Sequence, residues 1–168
     1  MGQLIEDLLS LSQVSRAPLN TAPVDLSLMA RKRLEEWQIR EPVRQVVVKI
    51  ENGLQAHGDE RLVQVVMENL LSNAWKFTGQ KAQAEISVGQ QSGHTSLPVY
   101  FVKDNGAGFD MAYANKLFQP FQRLHSGSEF AGTGIGLATV SRVIKRHGGR
   151  IWVESAPECG TTFFFTLC

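Results

Sequence analysis

One helix constrains this chain more than any other feature. In the stretch ERLVQVVMENLLSNAWKF, residues 60–77, Leu62, Val66, Leu70 and Ala74 recur every four positions and make an apolar row. Asp59 stands in front as an N-cap whose side-chain oxygen can satisfy free N–H groups of the first turn. So long a row has to lie on a broad apolar surface. The chain supplies one at once. Residues 83–90 and 97–104 alternate like half-buried strands, separated by a polar tip holding Gly93 and His94. A helix laid on consecutive antiparallel strands predicts an α+β two-layer sandwich.

The remaining pattern extends that reading. Residues 1–16 place Leu4, Ile5, Leu8 and Leu11 on one stripe, an amphipathic helix that needs a partner to cover it. Residues 17–24, with Pro18 and Pro23, read as a linker. A second helix starts at Asp25 or Ser27 and runs to about Arg40, where Pro42 stops it. The strand-like 43–50, the turn Glu51-Asn52-Gly53 and a return strand from Leu54 to His57 predict a hairpin. A short helix near 111–117 and a helix over 134–147 follow. The second ends at Gly148-Gly149 with Lys145, Arg146 and His147 in its last turn. Strands at 150–155 and 161–167 close the chain. The expectation is a mixed, mostly antiparallel sheet of about five strands with helices on one face, built from residues 25–168.

Charge and cysteine content exclude several classes. Seventeen basic against sixteen acidic residues leave a formal net charge of +1, without the basic excess of general nucleic-acid binders. No nucleic-acid partner is expected. The 43% hydrophobic and 20% charged fractions suit a globular protein, not a disordered or fibrous one. Cys159 and Cys168 form neither a metal motif nor a disulfide framework and suit a reducing compartment. No apolar run approaches the ~18 residues of a membrane span, and the first residues lack the basic start of a signal peptide. A cytoplasmic protein, or the cytoplasmic part of a larger protein that is itself membrane-bound or soluble, is expected.

Four segments carry chemistry. On the long helix, Asn69, Asn73, Lys76 and Phe77 share a face, offering two amides, an ammonium and an aromatic ring. An amide oxygen can ligate Mg²⁺ and a lysine can pair a phosphate, although a solvated helix face reads the same way. DNGAGF, residues 104–109, follows a strand; its glycines admit close backbone approach, and it is also ordinary turn chemistry. FQPFQRLH, residues 118–125, precedes a long small-residue connection, either a lid or a loop with Phe118 and Phe121 pinned into the core. GTGIGL, residues 132–137, opens a helix whose N–H groups and dipole favour an anion, or is merely a flexible helix entry.

In this order the four segments closely resemble the ATP-binding catalytic domain of two-component sensor histidine kinases. That superfamily includes type II topoisomerases, heat-shock chaperones and mismatch-repair ATPases. Residues 68–78 look like its N box, 104–110 its G1 box, 118–121 its F box and 132–137 its G2 box, so that the resemblance covers about residues 25–167. It implies ATP and Mg²⁺ as cofactors, with Asn73 the Mg²⁺ ligand and Asn69 supporting it near the phosphates. Lys76 would contact phosphate and Phe77 pack against the nucleotide. Asp104 would accept from the adenine amine, with Gly106 and Gly108 lining the base. Arg123 would reach the γ-phosphate, residues 122–131 form a lid, and Gly132, Thr133, Gly134, Ile135, Gly136 and Leu137 cradle the phosphates. Thr161 would assist Asp104 through water.

The same resemblance makes helix 1–16 the end of a dimerisation and phosphotransfer hairpin. It implies phosphoryl transfer to a histidine of that domain, homodimerisation of the full-length protein, and relay to a response-regulator receiver. None of His57, His94, His125 and His147 stands in the His-Glu/Asp context of a phosphoacceptor. ATPase relatives place a glutamate base where this chain has Asn69, and an amide cannot take a proton from water. The chain alone is therefore expected neither to phosphorylate itself nor to hydrolyse ATP fast. Alternatives on the same fold are a protein-serine kinase of the anti-sigma type and a nucleotide-binding adaptor or pseudokinase.

Overall fold

The computed structural model describes residues 2–14, 16, 18–91, 96–121 and 134–167. Its elements run in the order α1 (Gly2–Val14), β1 (Thr21–Asp25), α2 (Leu26–Arg40), β2 (Val46–Ile50), β3 (Gln55–Asp59) and α3 (Glu60–Phe77). There follow β4 (Ala84–Gln91), β5 (Val99–Asp104), a 3₁₀ helix (Met111–Lys116), α4 (Gly136–Arg146), β6 (Ile151–Ala156) and β7 (Gly160–Phe165). The five-stranded sheet has the order β2-β4-β5-β7-β6. Only the β2–β4 pair is parallel; the other three pairs are antiparallel. Helices cover one face of this sheet, the α+β sandwich expected from the sequence. Leu62, Val66, Leu70 and Ala74 of α3 are all buried against it with Ile86, Val102 and Phe163.

Two local expectations fail, for one reason. The turn at 51–53 does not close a hairpin: β2 joins β4, while β3 pairs antiparallel with β1. Ser27, buried in the first turn of α2, inserts its hydroxyl into the turn. Its Oγ accepts from the Leu54 N–H at 3.0 Å and donates to the Glu51 carbonyl at 2.6 Å. Those two backbone groups would otherwise bond each other across a tight turn, so the flanking strands splay apart. The freed β3 takes β1 as its neighbour, which turns residues 21–24 of the expected linker, together with Asp25, into a strand. A strand with one neighbour tolerates Pro23, because its missing N–H need not face a ladder.

Capping fixes the long helices. Asp25 caps α2 by accepting from the Leu28 N–H. The Asp59 carboxylate accepts from the Arg61 and Leu62 N–H groups at the start of α3, and from the Asn20 N–H. These bonds hold its pKa below the usual carboxylate value. His147 departs from the cationic helix end expected of it. It is buried at 5% exposure; its Nε2 accepts from the Asp59 N–H at 3.0 Å, and its Nδ1 lies 2.8 Å from the Val143 carbonyl. Helix α1 rests its C-terminal end on α4, where Val14 is buried and its carbonyl accepts from the Arg146 guanidinium. Leu4, Ile5, Leu8 and Leu9 remain exposed.

Candidate functional site

Strand β5 ends at Asp104, in the middle of the sheet, with Ile86 of β4 on one side and Thr161 of β7 on the other. The carboxylate is only 4% exposed. Burial pushes its pKa up to about 6, against the opposing pull of backbone N–H groups of Gly106 and Thr161. The Gly106 N–H donates to Oδ1 at 2.8 Å. The segment could equally have been a solvated turn; what is found is a buried acid.

The loop after Asp104 is gripped from two sides. From α3, the Phe77 carbonyl accepts from the Ala107 N–H at 3.1 Å. A Cβ at Gly106 would come 2.4 Å from that carbonyl oxygen. From the turn between β6 and β7, the Glu158 N–H donates to the Ala107 carbonyl at 2.6 Å. A Cβ at Gly108, whose φ is +64°, would come 2.0 Å from the Ala156 carbonyl. The space left by both missing side chains is thus filled by this protein's own backbone. Ser155 completes the grip, accepting from the Phe109 N–H and donating to the Gly160 carbonyl, with the Thr161 hydroxyl 2.9 Å away. Thr161 is buried beside Asp104, as its register requires.

Asn69, Asn73, Lys76 and Phe77 all lie half-buried on the C-terminal half of α3. The Lys76 Nζ sits 4.8 Å from the centre of the Phe77 ring. Asn69 donates from Nδ2 to the Val65 carbonyl at 2.8 Å, which turns its Oδ1 toward α4. There a Cβ on Gly136 would approach that oxygen to 2.5 Å. Helix α4 begins at Gly136 with no side-chain cap on its first turn and no acidic residue in it. Its leading N–H groups and the positive end of its dipole therefore stand beside the amides of α3, an arrangement suited to a polyanion. Ile135 is fully buried, Leu137 packs on the core, and Gly134 takes φ +78° with its carbonyl accepting from Phe121 N–H.

The expected residues Arg123, Gly132 and Thr133, and the expected lid over 122–131, lie outside the described residues. The aromatics of 118–121 divide. Phe118 packs edge-on against Phe163 at 6.2 Å, whereas Phe121 is 59% exposed and not pinned into the core. Sequence reasoning missed Asn105. Its side chain accepts from the Glu85 N–H and donates to the Gln83 carbonyl, tying the loop to β4. It missed Arg44 as well, which stacks 4.5 Å over Trp75 and donates to Thr78 at the end of α3. Neither position has a local pattern; each acts on residues more than fifteen positions away.

A sheet that sinks one acid at the end of its central strand, between an amide-bearing helix and an uncapped helix start, defines a class of nucleotide-binding module. The chain belongs to the histidine kinase-, DNA gyrase B- and HSP90-like ATPase family, whose model matches residues 58–168. It is 34% identical over 169 residues to cyanobacterial phytochrome B of Nostoc sp., covering 99% of this chain and 22% of that protein. It is 37% identical over 168 residues to the methanogenesis regulatory histidine kinase FilI of Methanothrix harundinacea, covering 99% of this chain and 19% of that protein. The chain thus spans about a fifth of the length of these curated relatives. Its fold matches the crystal structure of full-length ShkA in complex with AMPPNP with a TM-score of 0.78, at 24% identity, over 98% of this chain and 35% of that one. Among these the chain is the ATP-binding domain of histidine-kinase type. No described helix is long and apolar enough to cross a membrane.

Proposed function

We propose that this domain donates the γ-phosphoryl group of Mg-ATP to a histidine on an adjacent dimerisation hairpin, for relay to the receiver domain of a response regulator. The observation that carries the reading is the buried Asp104 carboxylate beside the α3 amides and the uncapped start of α4. An acid kept out of water at 4% exposure destabilises the fold, and adenine supplies the use that offsets it: an amine for the carboxylate to accept from. Guanine carries a carbonyl at that position and is refused. Phe77 packs on the nucleotide, and Lys76, Asn69 and the first N–H groups of α4 meet its phosphates.

The donor set also fits Mg²⁺. Among the described residues no three His, Cys, Asp or Glu side chains converge as a metal cluster. Mg²⁺ suits such a site, since it is commonly held by one or two protein oxygens together with substrate phosphates and water. Asn73 supplies the protein oxygen. Mg²⁺, when bound, neutralises charge on the phosphates. The half-buried Asn69, an amide, leaves water unactivated, so the domain's task is to position the phosphoryl group and not to hydrolyse it. The exposed Leu4, Ile5, Leu8 and Leu9 of α1 suit a helix that continues a hairpin and dimerises in the full-length protein, within the cytoplasm.

Incubation with γ-labelled ATP tests this. The chain alone should take up no stoichiometric label. Adding the histidine-bearing hairpin of the full-length protein should produce an acid-labile, base-stable phosphohistidine. Stoichiometric label on the chain itself, or hydrolysis at several turnovers per second, overturns the proposal.

A further inference from the structure

Helices α3 and α4 run side by side, and two of their contacts lie at opposite ends of the pair. At one end Gly136 lies against the Asn69 amide, where a Cβ would come within 2.5 Å of Oδ1. At the other end, the His147 ring spans from the end of α4 to the start of α3. Its Nε2 accepts from the Asp59 N–H at 3.0 Å and its Nδ1 lies 2.8 Å from the Val143 carbonyl. Because Nε2 accepts, the ring proton sits on Nδ1, which donates to Val143. Asp59 to Asn69 is ten steps along α3, about 15 Å, and Gly136 to His147 is eleven steps along α4, roughly 16 Å. The two contacts are therefore spaced to match. With one fixed, the axial position of α4 against α3 is fixed too.

We infer that His147 is a positioning residue for the triphosphate. It sets the axial register of α4, and so determines where the uncapped N–H groups of α4 stand relative to Asn69 and Asn73. The inference rests on the nucleotide site proposed above. Gly58 supports it independently. A Cβ there would lie 3.1 Å from both Cδ2 and Nε2 of His147 and 3.0 Å from Val63 Cγ2, so the backbone leaves room for this ring in this place. The role differs from packing alone. A register shift of a few tenths of an ångström moves the phosphate donors and leaves the Asp104 end of the site, on β5, where it is.

Magnetic-resonance titrations with Mg-ATP and with adenosine separate the two ends of the site. His147→Phe fills the space without an acceptor. It should weaken Mg-ATP by about tenfold while adenosine stays within about twofold. His147→Gln restores an acceptor near Nε2 and should recover most of the loss. Gly58→Ala keeps the histidine but presses on it, and should shift the ATP-to-adenosine ratio in the same direction by less. It carries the test should His147→Phe fail to fold. Equal loss of ATP and adenosine, or an unchanged ratio in both His147→Phe and Gly58→Ala, overturns the inference. A wild-type chain that does not bind Mg-ATP at all overturns instead the functional reading on which it rests.

Discussion

Asp104 is worse off in the folded chain than in the unfolded one. Its carboxyl titrates at about 6 when buried and at 3.8 in the open, so the folded state holds the proton more tightly. Between those two values the folded chain binds more protons than the unfolded chain, and stability falls as pH rises through the window, then levels off above about 6. The penalty at neutral pH is on the order of 3 kcal/mol. Asp104→Asn should therefore raise stability at pH 7.5 by about 1–3 kcal/mol, while flattening the decline between pH 4 and 6. Urea melts at pH 4.5 and 7.5 read both effects, and a variant less stable than the parent at pH 7.5 contradicts the burial argument. A residue that destabilises its own fold is a mark of function. The sequence made Asp104 visible only through the order of the four segments, because Asp-Asn-Gly after a strand is by itself ordinary turn chemistry. It could not show that the acid was buried, nor that Asn105 anchors the loop, since both depend on neighbours brought in by β4 and β7.

At the scale of elements, the sequence was legible wherever periodicity decided and silent wherever a single side chain did. The row of α3, its Asp59 cap and the alternation of β4 and β5 stand where they were expected. The hairpin over 43–57 did not form because one hydroxyl from α2 sits in its turn, and no pattern within 43–57 announces Ser27. Ser27→Ala removes the bridge between the Glu51 carbonyl and the Leu54 N–H. It should cost about 1–2 kcal/mol, the penalty of two poorly satisfied backbone groups, without altering nucleotide affinity. Chemical denaturation beside an ATP titration checks this; a change in affinity with unchanged stability would mean that the turn communicates with the site. The histidine at the end of α4 teaches the same lesson. Last-turn position suggested a cation for the helix dipole, whereas the ring is buried and its partner lies 88 residues earlier.

Across the whole molecule, the site draws on three parts of the chain that sequence order keeps far apart: α3, the end of β5 with its loop, and the start of α4. The sheet order β4-β5-β7 brings the second against the turn between β6 and β7, and packing of α3 on α4 brings the third to the first. The four glycine- and amide-bearing segments were recognisable as a set only because their order was right; each alone was an ordinary turn or helix face. On the proposed function, the set makes a domain that would read adenine with a buried acid and hold phosphates between two helices. Calorimetric titration with Mg-ATP and Mg-GTP, on the parent and on Asp104→Asn, puts that claim to the most direct test. The account predicts measurable binding of Mg-ATP, binding of Mg-GTP weaker by about tenfold or more, and loss of most ATP affinity in the variant, where a rotated amide presents a donor to the adenine amine. Equal affinity for the two nucleotides, or full ATP affinity in Asp104→Asn, would contradict it.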